Sequence, residues 1–270
     1  MHNRTGNLDC NQMEHSHDML KRICIFFGDY ATYLLGCGAN CTRISKNVNR
    51  MAEKFGVQVD MLMLATHCVI TVWDSGHEHS YHESRSQMKV PLSFAANTNL
   101  SKLSWDVYEG KTGLDGAIER FQQITSEKRI PTWVVMVLVS IANASFCRLF
   151  GGDFTSMGIV ALATWVGYYL KVALLTAGVD ARLMFIACSF ISSVIGASAY
   201  IFHLGGTPDL ALGTSVLYLV PGVHYINSVS DLLDGHYLTA FSRFMMASVL
   251  TVCLSLGLTG GILLMNLSIF

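Results

Sequence analysis

Asp231 and Arg243 stand twelve residues apart in the stretch Leu217 to Phe244, which is otherwise apolar enough for a bilayer and is interrupted by Pro221-Gly222. A guanidinium there could grip a carboxylate at two points, and a carboxylate could carry a proton across. The plainer reading is that the two charges meet lipid headgroups, or each other, at the membrane surface. Pro221 has no N–H to donate and Gly222 tolerates almost any backbone angle, so carbonyls just upstream lose their helical partners. Such freed groups are tolerated at membrane depth only inside protein or beside a wet cavity, where carriers place their solute sites.

Other polar groups fall in apolar surroundings. Arg148 stands about one turn before Gly151-Gly-Asp153, where it either pairs locally with Asp153 or forms an anion-attracting gate at an outer mouth. Asn143, Tyr168, His203 and His224 lie at depth, whereas Ser140, Ala142, Ala144, Ser145, Gly196, Ala197 and Ser198 read as small residues for close helix packing. Elsewhere the chemistry is thin. His77 and His79 would share a strand face, but nothing fixes a fourth ligand, so an exposed polar hairpin is expected and no metal. Gly110-Lys-Thr-Gly113 lacks the spacing of a phosphate loop, and no Ser-His-Asp or GxSxG arrangement stands out, so neither an enzyme nor a cofactor is expected. The eight cysteines form no CxxC, and Cys37 and Cys41 read as reduced packing residues. A net charge of −1 sets nucleic-acid binding aside.

The charges are unevenly placed. Of 37 Asp, Glu, Lys and Arg residues, 28 precede Pro131, which divides the chain into a polar domain, 1–130, and a transmembrane domain, 131–270. No apolar run follows the N-terminus, so no signal peptide is expected and the first domain belongs in the cytoplasm. Its periodicity predicts helices over His17–Gly38, Thr42–Lys54, Leu100–Glu109 and Asp115–Ser126, and strands over Val57–Leu64 and His67–Trp73, with further short strands at His79–Glu83 and Met88–Pro91. That is an α+β domain. Beyond it, five α-helical spans are expected at about 131–150, 155–176, 183–204, 209–226 and 238–267, the fourth carrying the break. Lys128, Arg129, Lys171, Arg182 and Arg243 mark the cytoplasmic side of an inner membrane, which puts the N-terminus inside and the C-terminus outside.

Phe146-Cys-Arg-Leu-Phe-Gly-Gly-Asp153, Ser215-Val-Leu-Tyr-Leu-Val-Pro-Gly222, Ile226-Asn227, Asp231, Gly235-His236, Thr239 and Arg243 resemble the threonine/serine exporter (ThrE) family in its short, YjjP-like N-terminal-domain branch. Gly38-Ala39, Arg50, Gly56 and Ala117-Ile-Glu-Arg-Phe121 extend the likeness across nearly the whole chain. The resemblance implies a soluble domain before five spans, and a second block of spans supplied by a small multi-span membrane partner subunit. It implies export of a small carboxylate, a succinate-like dicarboxylate or threonine/serine. By position it carries over Asp153, Asp209, Pro221, Gly222, Asn227, Asp231 and Arg243 as substrate- and ion-pathway residues. The family commonly has an acidic residue where this chain has Asn40.

The leading expectation is therefore a subunit of a two-component secondary exporter, driven by an ion gradient and embedded in the lipid bilayer, with homo-oligomerisation left open. A membrane-tethered hydrolase-like enzyme and a regulatory or assembly subunit are the alternatives.

Overall fold

The structure, a computed structural model, describes residues 5–64, 66–88, 90–127 and 130–266, with side chains from residue 17 onward. Lys128, Arg129 and the expected end of the last span at Leu267 lie outside the described residues. In chain order the elements are α1 (Thr5–Gly36), α2 (Cys41–Phe55), β1 (Gln58–Met63), β2 (His67–Trp73), β3 (Ser80–Ser86), α3 (Phe94–Tyr108), α4 (Leu114–Ser126), α5 (Thr132–Leu149), α6 (Phe154–Thr176), α7 (Ala181–Ile201), α8 (Pro208–Thr214), a 3-10 turn (Leu217–Leu219), α9 (Gly222–Leu233) and α10 (Tyr237–Leu264). They form two compact units: Met1–Lys128 with Val223–Phe244, and Arg129–Gly222 with Met245–Phe270.

In the first unit, α1 buries Ile23, Phe27, Tyr30 and Leu34 on one stripe. The Tyr30 hydroxyl donates to the Leu100 carbonyl at 2.8 Å, so the ring is buried without stranding its polar end. Phe121 of α4 packs against Phe26, Tyr30 and Tyr33. α2 starts at Asn40, whose side chain accepts the Arg43 N–H, and stops at Gly56 in the left-handed region. The sheet is antiparallel in the order β1-β2-β3. Alternation along β2 buries Cys68, Ile70 and Val72, while β3 is a polar edge where Arg85 pairs with Asp29 and Glu83. The expected sharing of a strand face by His77 and His79 does not occur. His77 has φ 56° in the turn that Asp74 caps by accepting the N–H groups of Glu78 and His79. At Met88–Pro91, where a strand was expected, the described residues run as irregular chain.

Among the described residues, four helices are long and apolar enough to cross a membrane: α5, α6, α7 and α10. The expected fourth span, 209–226, is not a continuous helix. It divides into α8, the 3-10 turn and the start of α9, and from Val223 the chain belongs to the first unit. The interruption covers Ser215 to Pro221 and is longer than Pro-Gly alone demands. Buried Asn143 of α5 donates its amide to the Thr214 carbonyl at 3.1 Å and to Thr164 Oγ1 at 2.6 Å, which satisfies a carbonyl exposed where α8 stops. Close packing comes from small residues, as expected for Gly196, where a Cβ would press on Ser215 and Leu212. Further contacts of this kind join Gly257 and Gly261 of α10 to Ser189 and Ser193 of α7.

Asn143→Leu keeps the volume and removes the only part of the residue that reaches Thr214. We expect it to lower stability in detergent by roughly 1–2 kcal/mol. Ser145→Ala, which loses only a bond to Ile141 of its own helix, should stay near wild type in the same thermal unfolding series.

Candidate functional site

The turn joining α1 to α2 runs Gly38-Ala39-Asn40-Cys41, and Gly38 takes φ 86°, a conformation that favours glycine. Five side chains from Asn227 to Arg243 close on this turn and on the residue after it. Asn227 donates to the Gly38 carbonyl at 2.7 Å, and Arg243 Nη2 donates to the Ala39 carbonyl at 2.9 Å. Ser230 accepts from Asn40 Nδ2 at 2.9 Å, Asp231 accepts the Cys41 N–H at 2.8 Å, and Asp234 accepts the Thr42 hydroxyl. Asp231 thus sits on the first turn of α2, where a negative charge complements the helix dipole. Arg243 Nη1 lies 3.0 Å from Asp231 Oδ2, at an angle that makes the contact an ion pair and not a hydrogen bond. Asp231 is wholly buried and Arg243 is 7% exposed.

The structure therefore brings Asn227, Asp231 and Arg243 together on one backbone turn. It also gives Asn40 a use that a carboxylate could not serve, because its amide caps α2 and donates to Ser230 at the same time. Burial, reinforced by the Asp231 charge, pushes the Cys41 thiol up to about 11, so it is a protonated packing residue.

In the second unit the interruption after α8 has a polar lining that sequence reading recognised only in part. Tyr218 of the 3-10 turn meets Ser192 of α7 at 3.0 Å, and Ser192 also donates to the Ala163 carbonyl. Any Cβ at Gly167 would collide with both hydroxyls, so this glycine makes room for the pair. The Tyr168 ring lies beside Tyr218, and the Lys171 ammonium lies 5.6 Å from the Tyr168 ring centre. With Asn143 and Thr164, these residues form a polar band across α5, α6, α7 and the interruption. Asn143 and Tyr168 stood out in the sequence as polar groups at depth, and Tyr218 lay in the Ser215–Gly222 stretch that carries the resemblance; Ser192 carried no signal. Pro221 is buried, and the Gly222 N–H bonds back to Val220.

Asp153 does not pair with Arg148. It caps α6, accepting from the Ser156 N–H at 2.7 Å, the Gly206 N–H at 2.6 Å and the Thr207 hydroxyl. The Ser156 side chain foremost, then the N–H groups of Gly206 and Ser156, hold its carboxyl down at about 2. Arg148 instead donates to the Gly152 carbonyl and lies 5.2 Å from the centre of the Phe154 ring. Asp209 is exposed in the first turn of α8.

Two outcomes are expected. Arg243→Ala leaves the Asp231 carboxylate buried without its cation and should cost roughly 3–5 kcal/mol in thermal unfolding, with Asp231→Asn/Arg243→Gln costing less than the sum of its single variants. The lowered Asp153 carboxyl stabilises the fold fully above its ordinary value of 3.8, and this is lost as pH falls through about 2. Asp153→Asn should lower stability across the neutral region and flatten the acid limb, so that its unfolding profile converges on that of the wild type as pH falls toward 2.

No solved structure is significantly similar to this chain. Over 238 residues, 87% of its length, it is 26% identical to a Klebsiella aerogenes protein and 31% identical to one from Escherichia coli K12. Both are named "Probable succinate transporter subunit YjjP", and the alignments cover 90% and 91% of them respectively. The family model described as "Putative threonine/serine exporter" matches residues 26–265, which takes in the turn before α2, the polar band and the residues that close on the turn. The chain belongs to the ThrE family.

Proposed function

We propose that this chain is one subunit of a two-component secondary exporter that moves a small carboxylate, succinate-like or threonine/serine, out of the cell through a path beside the interruption at Ser215–Pro221. The observation that carries the reading is a count of crossings. Side chains at 227–243 bond to residues 38–42, so these pieces of chain lie on one side of the membrane. Three whole helices, α5, α6 and α7, separate them, and an odd number of crossings would leave them on opposite sides. On this reading residues 208–221 supply a fourth. Seven α-helical residues, three 3-10 residues and four irregular ones reach roughly 25–30 Å, on the order of the hydrocarbon thickness.

A crossing made of broken helix, with Asn143, Thr164, Ser192 and Tyr218 around it, is the kind of element on which carriers build solute sites. With α10 as the fifth crossing, the termini fall on opposite sides, and Lys171, Arg182 and Arg243 favour a cytoplasmic N-terminus in the inner membrane. The relatives' names speak of a transporter subunit, which supports both the partner and a non-enzymatic role. For Arg243 to grip the solute carboxylate, and Asp231 to carry a proton, their ion pair must open during the cycle.

The test is efflux of labelled succinate and threonine from proteoliposomes holding this chain alone, or with the small multi-span protein as partner. Efflux is expected only with both. Efflux from this chain alone overturns the two-component reading, and none of either solute with both present overturns the exporter. In the working pair, Asp231→Asn should abolish uphill export and leave solute exchange; an equal loss of both, at normal protein levels, would make the Asp231–Arg243 pair structural only.

A further inference from the structure

We propose that the cleft between α2 and α3 is a binding site for a small organic dianion of dicarboxylate type, separate from the path through the spanning helices. The cleft has a volume of about 550 Å³, within the range of small-molecule sites. One wall carries Arg43, Lys46 and Arg50, which at spacings of three and four fall on one face of α2. The facing wall is Thr98, Ser101 and Trp105, at equivalent spacings along α3, and Asn40, Thr42 and Asn47 complete the lining. The walls thus offer three cations with hydroxyl and amide groups, and no carboxylate is among the lining residues.

The two arginines are held by neutral groups. Arg50 donates to Ser104 at 2.7 Å and to Asn47 at 3.3 Å, and its guanidinium lies 3.7 Å above the Trp105 ring. Arg43 donates weakly to Asn97 at 3.4 Å. Among the described residues no carboxylate pairs with Arg43, Lys46 or Arg50, whereas Asp106, farther along α3, pairs with Lys111 and Arg120. Asp234 is the carboxylate that touches the lining, through the Thr42 hydroxyl at one end.

The shape selects the anion. A compact oxyanion would be served best by free N–H groups at the start of α2, but Asp231 and the Asn40 side chain already take the Cys41 and Arg43 N–H groups. The three cations are instead strung over about 10 Å of helix, from position 43 to position 50, which suits two negative groups set apart on a short carbon chain. Arg50, stacked and fixed, presents a planar fork to one of them, and Lys46 a mobile point charge to the other.

Binding here needs neither a second subunit nor a gradient, so it is measured independently of transport, by calorimetry on the purified full chain in detergent with succinate as the probe. Saturable binding is expected, weakened about tenfold by Lys46→Gln and again by Arg43→Gln, the loss of one charge-assisted contact each. Both side chains are exposed, and thermal unfolding should show both variants folded as wild type. Sulfate, a compact dianion, should bind at least tenfold more weakly. Absence of saturable succinate binding, equal affinity in folded Lys46→Gln and Arg43→Gln, or sulfate binding as tight as succinate would each overturn the assignment.

Discussion

The first unit is organised around three backbone groups in the turn Gly38–Cys41, the carbonyls of Gly38 and Ala39 and the N–H of Cys41. A turn between two helices leaves carbonyls at the end of one and N–H groups at the start of the next without helical partners. Here those groups are met by side chains about 190 residues further along. Asn227 and Arg243 take carbonyls and Asp231 takes an N–H, so the acid and the base each match the sign of the backbone group they touch. Their mutual ion pair then neutralises what burial would otherwise make costly. This is why the unit includes Val223–Phe244 although those residues follow three membrane-length helices.

The same turn organises the cleft beside it. Asn40 ends the turn, caps α2 and lines the cleft, while Thr42 reaches Asp234 from the lining. With the Cys41 and Arg43 N–H groups committed to Asp231 and Asn40, what the helix offers an anion is the cationic row Arg43, Lys46 and Arg50. A helix that is buried on Ile44, Val48 and Met51 must show such a row on another face, because apolar and charged positions divide the 3.6-residue period between them. The packing of α3 across that face turns an ordinary solvated row into a concave one.

In the second unit the governing constraint is the unpaired carbonyl. Seven residues without continuous α-helix, Ser215 to Pro221, can stand among spanning helices only if their polar groups find protein partners. Within it the Leu219 and Val220 N–H groups bond back to Val216 and Leu217, while Asn143 takes the Thr214 carbonyl just before it, Ser192 meets the Tyr218 hydroxyl, and Gly167 supplies the room. The polar band that makes the interruption tolerable is also the reason to place a solute path beside it.

Much was legible in the sequence. The charge division before Pro131, the limits of α2, α4, α5 and α6 within two residues, the strands β1 and β2 and the family likeness all follow from local pattern, since hydrophobic period, caps and span length are set by neighbours in the chain. The interruption was legible at Pro221-Gly222 but not its length, because α8 stops where Asn143, on another helix, can take its last carbonyl. Arg148 and Asp153 looked like a pair through proximity along the chain; the structure gives Asp153 to α6 and to Gly206, since backbone N–H groups fixed in place satisfy a carboxylate better than a flexible guanidinium. Tertiary structure alone decided that Asp231 and Arg243 close on the turn before α2, and that the basic row of α2 faces Trp105. Both depend on which surfaces meet across long sequence separations, and periodicity, a property of neighbouring residues, holds no record of that.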